Sequence, residues 1–292
     1  MERLLDEAFL QRLSNLRFMS SGRQGGRLAG FHKSPRQGVS IEFADYREYT
    51  PGDDFRYIDW NIYGRLGRLL VKTFAHETDL PIYLLTDASG SMRLGSPSKA
   101  HYAARLALAL GYLGLRSLDR VGLFPFSNRL LEAVFPRQGM RQLGRILSSL
   151  EALNPDGETA LDAAITEFLS VTRESGLVVL LSDLLDAEGL QNAVARLRYR
   201  RDDIVVLQLL DRDEIEPTVS GYTQIVDVES GRRLKMNLGR RAVAQYRKRF
   251  REHQRGLSAF LLEQGVPYFV IPTDRPLERV IFEDLRAGGI LV

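Results

Sequence analysis

From about residue 80 onward, short apolar runs alternate with stretches of helical periodicity. Ile82-Tyr83-Leu84-Leu85-Thr86 follows Pro81 and ends before a glycine, which is the length and punctuation of a buried strand. Ala103, Leu106, Ala107, Leu110 and Leu113 then recur at helical spacing and predict a helix near 97–117. Val121–Ser127 reads as a second strand, turning through Asn128 and Arg129 into Leu130–Phe135 as a hairpin. Helices are expected near 139–151 and 160–173. Leu177–Leu181, after Gly176, is the most continuous apolar run and is expected at the sheet centre. A helix near 188–199, a strand Ile204–Leu210, a long helix near 240–264, a strand Tyr268–Ile271 and a short helix Leu277–Leu285 complete the pattern. An insertion, 211–239, carries a small hairpin, Gln224–Glu229 to Arg232–Met236 through Ser230-Gly231. The alternation implies an α/β domain, 80–292, with a doubly wound, mostly parallel sheet covered by helices on both faces.

The first 79 residues read differently. Leu4, Leu5, Ala8, Phe9 and Leu13 predict a short helix within 1–16. Residues 17–37 are rich in Gly and Arg (Arg17, Arg23, Arg27, Arg36, with Lys33) and read as a loop. Residues 39–60 reverse the charge, with Glu42, Asp45, Glu48, Asp53, Asp54 and Asp59 against Arg47 and Arg56. Aromatic residues interleave there: Phe43, Tyr46, Tyr49, Phe55, Tyr57 and Trp60. Arg68 to Glu77 reads as a strand. The expectation for 1–79 is a small β-rich extension with these aromatics as its core and Asp53, Asp54 and Arg56 in local salt bridges.

Composition narrows the chemistry. At 292 residues and 44% hydrophobic content the chain can bury a full core. No apolar run approaches the ~20 residues that span a bilayer, and Met1–Glu7 has no signal-peptide core. The expected location is cytoplasmic, without a membrane span. Zero Cys excludes disulfides and thiolate metal sites, and the four His lack zinc spacing. A net charge of +3 fits a basic patch rather than a nucleic-acid coat.

Directly after the strand at 82–86 comes Asp87-Ala88-Ser89-Gly90-Ser91. It sets one carboxylate and two hydroxyls on a tight turn at a strand's carboxyl end, where α/β sheets bind ligands. Hard oxygens of this kind suit Mg²⁺ or Mn²⁺. Thr159 lies in a turn opening the helix near 160–173, and Asp183 follows the strand 177–182. If those strands are neighbours, Asp87, Ser89, Ser91, Thr159 and Asp183 converge on one cation and leave a coordination position for an external carboxylate.

Asp-x-Ser-x-Ser, then Thr, then Asp on these elements resembles the metal-ion-dependent adhesion site of von Willebrand factor A domains. The resemblance covers roughly 80–290. It implies that both Ser and the Thr contact the metal, that the Asp residues act directly or through water, and that a partner's acidic side chain completes the shell. The run Gly38 to Trp60, with Tyr49-Thr50-Pro51-Gly52-Asp53-Asp54 at its centre, resembles the signature of a bacterial family first described as a domain of unknown function. Members of that family pair the segment with a von Willebrand A-like domain and are typically encoded beside MoxR-type AAA+ ATPases. The resemblance implies an adaptor or chaperone-like partner of such an ATPase, binding a client protein through the metal.

Other readings carry less. Arg240, Arg241, Arg247, Lys248, Arg249, Arg251 and Arg255 crowd one helix, and Arg196, Arg198, Arg200 and Arg201 another. They read as solvated faces, with nucleic-acid binding as an alternative. Ser21-Gly22-Arg23-Gln24-Gly25-Gly26-Arg27 has neither the spacing nor the Lys-Ser/Thr of a phosphate loop. A metal-dependent phosphohydrolase using Asp87 is the enzymatic alternative, but Ser89 stands where such enzymes carry a second Asp. The expectation is a binding module rather than an enzyme.

Overall fold

The computed structural model describes residues 7–13, 16–19, 42–49, 55, 58–75, 80–217, 221–229 and 231–292. They fall into two compact units, Lys33–Asp79 and Met1–His32 with Leu80–Val292. Most of the Gly/Arg-rich stretch 17–37, and the ion pairs expected at Asp53, Asp54 and Arg56, lie outside the described residues.

In the smaller unit, β1 (Glu42–Glu48) pairs antiparallel with β2 (Leu70–Ala75), with a register shift between Phe43 and Asp45. A helix, α2 (Trp60–Leu66), stands before β2. Its start is set by Asp59, whose carboxylate accepts from the N–H groups of Asn61 and Ile62 at 3.0 and 3.2 Å. Its end is set by Gly67, at φ +63, which only glycine adopts freely. Ile58 and Val71 are buried. Phe55 and Trp60 are 65% and 59% exposed, so they are not the core the sequence suggested. Trp60 instead meets Tyr63, one turn on, edge to face.

The larger unit contains α1 (Glu7–Leu13), whose Phe9 and Leu13 are buried in its core. The N-terminal helix thus groups with residues 80–292 rather than with 33–79. Backbone hydrogen bonds between Arg17 and Val292 fasten this segment to the C-terminal residues.

A six-stranded sheet follows. Its strands are β3 (Pro81–Asp87), β4 (Arg120–Phe126), β5 (Val134–Arg137), β6 (Leu177–Ser182), β7 (Asp203–Leu210) and β10 (Tyr268–Pro272), in the order β10-β7-β6-β3-β4-β5. All neighbours are parallel except β5 against β4. β6 and β3 occupy the centre, and every residue of both is buried, as expected for parallel strands covered on two faces.

Side chains alternate between those faces. Ile82, Leu84 and Leu181 pack with α1, α3 (Lys99–Arg116) and α4 (Arg141–Ala152). Tyr83, Leu85 and Leu180 pack with α5 (Leu161–Val171), α6 (Ala187–Arg200) and the end of α8 (Arg240–Glu263). Each fully buried Leu contributes about 1.5–3 kcal/mol. Close approach at the start of the neighbouring strands β3 and β6 demands Gly176, where a Cβ would stand 2.1 Å from the Pro81 carbonyl oxygen.

Between β7 and α8 lie the single-turn helix α7 (Arg212–Ile215) and a two-stranded hairpin, β8 (Gly221–Val226) with β9 (Arg233–Leu238). After β10 come a short helix, Leu277–Arg279, and a π turn, Val280–Leu285, ahead of the C-terminal residues that pair with Arg17 and Phe18. Among the described residues no helix is long and apolar enough to cross a membrane.

Candidate metal centre

The sheet order places the switch point between β3 and β6. From β3 the chain moves outward to β4 and β5, then returns to β6 on the other side of β3 and continues to β7. The carboxyl ends of β3 and β6 therefore border the crevice where such sheets bind ligands. Asp87 ends β3 and Asp183 immediately follows β6.

The Asp87 turn is tightly held. Asp87 Oδ1 accepts the Ser89 N–H at 2.9 Å, and Oδ2 accepts the Ser182 hydroxyl at 2.6 Å. The chain then makes a 3-10 turn, Gly90–Arg93. Ser89 Oγ and Ser91 Oγ lie 3.1 Å apart, both buried. Asp183 is fully buried and followed by Leu184 at φ +58, a left-handed conformation uncommon for a branched side chain. Burial and the nearby Asp183 charge push the Asp87 carboxyl up to about 6, against the lowering by Ser182 and Ser89. Two buried carboxylates near one another favour a cation between them.

A cation of this protein's own is already present. Lys99, fully buried in the first turn of α3, donates to Asp183 Oδ2 at 2.8 Å and to Glu214 Oε1 at 2.5 Å. Burial opposes its charge, but Asp183 and Glu214 outweigh that and hold its pKa above the usual lysine value. Glu214 is itself fixed by a capping box, its Oε2 accepting the Asp211 N–H at 2.8 Å. The sequence reading passed over Lys99. The available signal was a lysine in the first turn of an apolar helix, where the helix dipole disfavours a cation and a partner must compensate.

Thr159 reaches the crevice by another loop. The Asp156 N–H donates to Ala88 O and the Gly90 N–H to Gly157 O, both at 2.9 Å, which ties residues 156–157 to the Asp87 turn. Gly157 adopts φ +80 there. The half-buried Thr159 hydroxyl donates to Glu229 Oε1 at 3.2 Å, rather than to Asp87, Ser89 or Ser91. Asp87, Ser89 and Ser91 are thus joined by hydrogen bonds, and Asp183 lies near enough for its charge to act on Asp87 while its oxygens go to Lys99 and the Leu185 N–H. Thr159 flanks them beside Glu229, which the sequence reading had not singled out.

The donor set fits a small, hard cation in part. Bonds of about 2.0–2.1 Å at right angles put adjacent oxygens roughly 2.9 Å apart, close to the 3.1 Å between the two serine hydroxyls. All the candidate ligands are oxygens. Among the described residues, no group of three or more His, Cys, Asp or Glu side chains forms a cation cage. A metal here would therefore rest on hydroxyls and water as much as on carboxylates.

Comparison with known proteins adds relatives. An uncharacterized protein of Mycobacterium tuberculosis (strain ATCC 25618 / H37Rv) is 25% identical over 257 residues, covering 86% of this chain and 80% of that one. A Mycobacterium bovis protein matches with the same figures. Among solved structures, the conserved hypothetical protein BatB from Bacteroides thetaiotaomicron aligns with TM-score 0.46 and 16% identity, over 72% of this chain and 98% of that one. Manganese-loaded TRAP protein of Plasmodium vivax aligns with TM-score 0.38 and 17% identity, over 73% and 74%. A family model described as protein of unknown function DUF58 matches residues 45–256, most of the chain, and the chain belongs to that family.

Proposed function

We propose that this chain is a metal-dependent protein–protein interaction module rather than an enzyme. Mg²⁺ or Mn²⁺ is held by Ser89 and Ser91 through their hydroxyls and by Asp87, with Thr159 at the side. Asp183 acts through water, since Lys99 engages one of its oxygens. The exposed side of the ion accepts an acidic side chain of a client protein. The observation that carries this reading is the pair of buried serine hydroxyls 3.1 Å apart beside the buried Asp87, at the switch point of the sheet. The bound ion supplies a positive centre for a carboxylate; the protein supplies fixed oxygens and a dry floor. For the wider role we favour an adaptor to a MoxR-type AAA+ ATPase in the cytoplasm, on the resemblance carried by residues 38–60.

Calorimetric titration with Mg²⁺ and Mn²⁺ tests the metal. Wild type should bind, Ser91→Ala should weaken binding and Asp87→Ala should abolish it. Wild type that takes up neither ion removes the reading. Pull-down with a purified MoxR-type ATPase, with and without chelator, tests the partner class.

A further inference from the structure

The β8–β9 hairpin forms a sheet of its own. None of its described side chains from 221 to 235 is buried, and Tyr222 and Leu234 are 88% and 61% exposed. A two-stranded hairpin alone is marginal in water. Its turn is nevertheless shaped. Asp227 Oδ1 accepts the Glu229 N–H at 3.0 Å, the Asp227 carbonyl accepts the Gly231 N–H at 2.9 Å, and Gly231 takes φ +69. That turn lies against the metal centre. The Val228 carbonyl oxygen stands 3.0 Å from where a Cβ on Gly90 would be, and Glu229 Oε1 accepts the Thr159 hydroxyl at 3.2 Å.

We propose that the hairpin is a flap whose Glu229 supplies an internal carboxylate to the outer face of the metal centre, in competition with the acidic side chain of a partner. The inference rests on the metal reading above. The Thr159 proton directed at Glu229 leaves the hydroxyl's lone pairs for a cation. The 3.2 Å between the two oxygens is close to the roughly 2.9 Å separating adjacent ligands of an octahedral ion. A tethered carboxylate acts at an effective concentration on the order of millimolar. A partner's acid must therefore outcompete it, or bind once the flap has lifted. With none of the described side chains from 221 to 235 buried, lifting is inexpensive.

Mn²⁺ titration of the full chain, read by calorimetry and by water-proton relaxation, tests this. Glu229→Gln is expected to retain the fold, because its side chain lies on the surface hairpin. It should weaken Mn²⁺ binding about tenfold and raise relaxation per bound ion, because water enters the position the carboxylate leaves. Acetate should then lower that relaxation in Glu229→Gln and not in wild type. Mn²⁺ should slow tryptic cleavage at Arg232 and Arg233 in wild type only. Equal affinity and equal relaxation in wild type and Glu229→Gln would overturn the flap while leaving the metal centre standing. Wild type that binds no Mn²⁺ would overturn both.

Discussion

The Lys99 ammonium lies 2.8 Å from Asp183 Oδ2, and neither side chain has any exposed surface. The residues are 84 positions apart, so the pair joins the start of α3 to the end of β6 beneath the candidate centre. Glu214, with a 20% exposed side chain, completes the group from α7. A buried charge without a partner costs several kcal/mol, and a network of this kind fixes the position of every member.

Lys99→Met should therefore destabilise the protein by about 3–5 kcal/mol, because it strands the Asp183 charge. Combining it with Asp183→Asn should recover much of that loss. Denaturant unfolding of the two single variants and the double variant reads the coupling directly. A single-variant loss below about 1 kcal/mol would mean that water reaches Asp183 and the pair is not structurally required.

The contrast between Asp183 and Lys99 shows where sequence reading works. Asp87 and Asp183 each end an apolar run, and strand-end carboxylates have a place in any parallel sheet before the structure is seen. β3, β4, β6 and β7 were legible for the same reason, since strands covered on both faces are apolar without interruption. Lys99 and Glu214 meet across 115 positions and neither lies on a periodic pattern. Glu229 depends on how a surface hairpin folds back, which no local period encodes. α2 was missed because Trp60-Asn61-Ile62-Tyr63-Gly64 is poor in helix formers, although Asp59 and Gly67 marked both its ends. Phe55 and Trp60 looked like core because they are aromatic, yet the small unit buries Ile58 and Val71 instead.

Asp203 gives a pH dependence of defined sign. It opens β7, and burial, followed by the Asp202 charge, pushes its carboxyl from 3.8 up to about 7. Between those values the folded chain holds a proton that the unfolded chain has lost. Stability therefore falls as pH rises through that window, and the loss is complete above it. Asp203→Asn, which cannot ionise, should be more stable than wild type at about pH 8, with the difference vanishing below about pH 4. Denaturation midpoints of both proteins across that range provide the check. A difference that stays constant with pH would show that Asp203 titrates normally.

Arg200 provides a test of geometry rather than charge. Its Nε and Nη2 donate to the two Asp202 oxygens at 2.7 and 2.9 Å, while Nη1 donates to the Thr172 carbonyl at 2.8 Å. The guanidinium carbon, Cζ, also sits 4.8 Å from the Phe168 ring centre and 5.5 Å from that of Tyr83. Only a planar fork can serve two carboxylate oxygens, a carbonyl and two rings at once. Lysine keeps the charge but offers a single point donor. Arg200→Lys should leave an Asp202 oxygen or the Thr172 carbonyl short of a donor, at a cost of about 1–3 kcal/mol. Chemical denaturation measures it, and the loss should persist at high salt because the side chain is largely shielded. Wild-type stability in Arg200→Lys would show that charge alone holds this corner of the sheet together, with no role for the shape of the group that carries it.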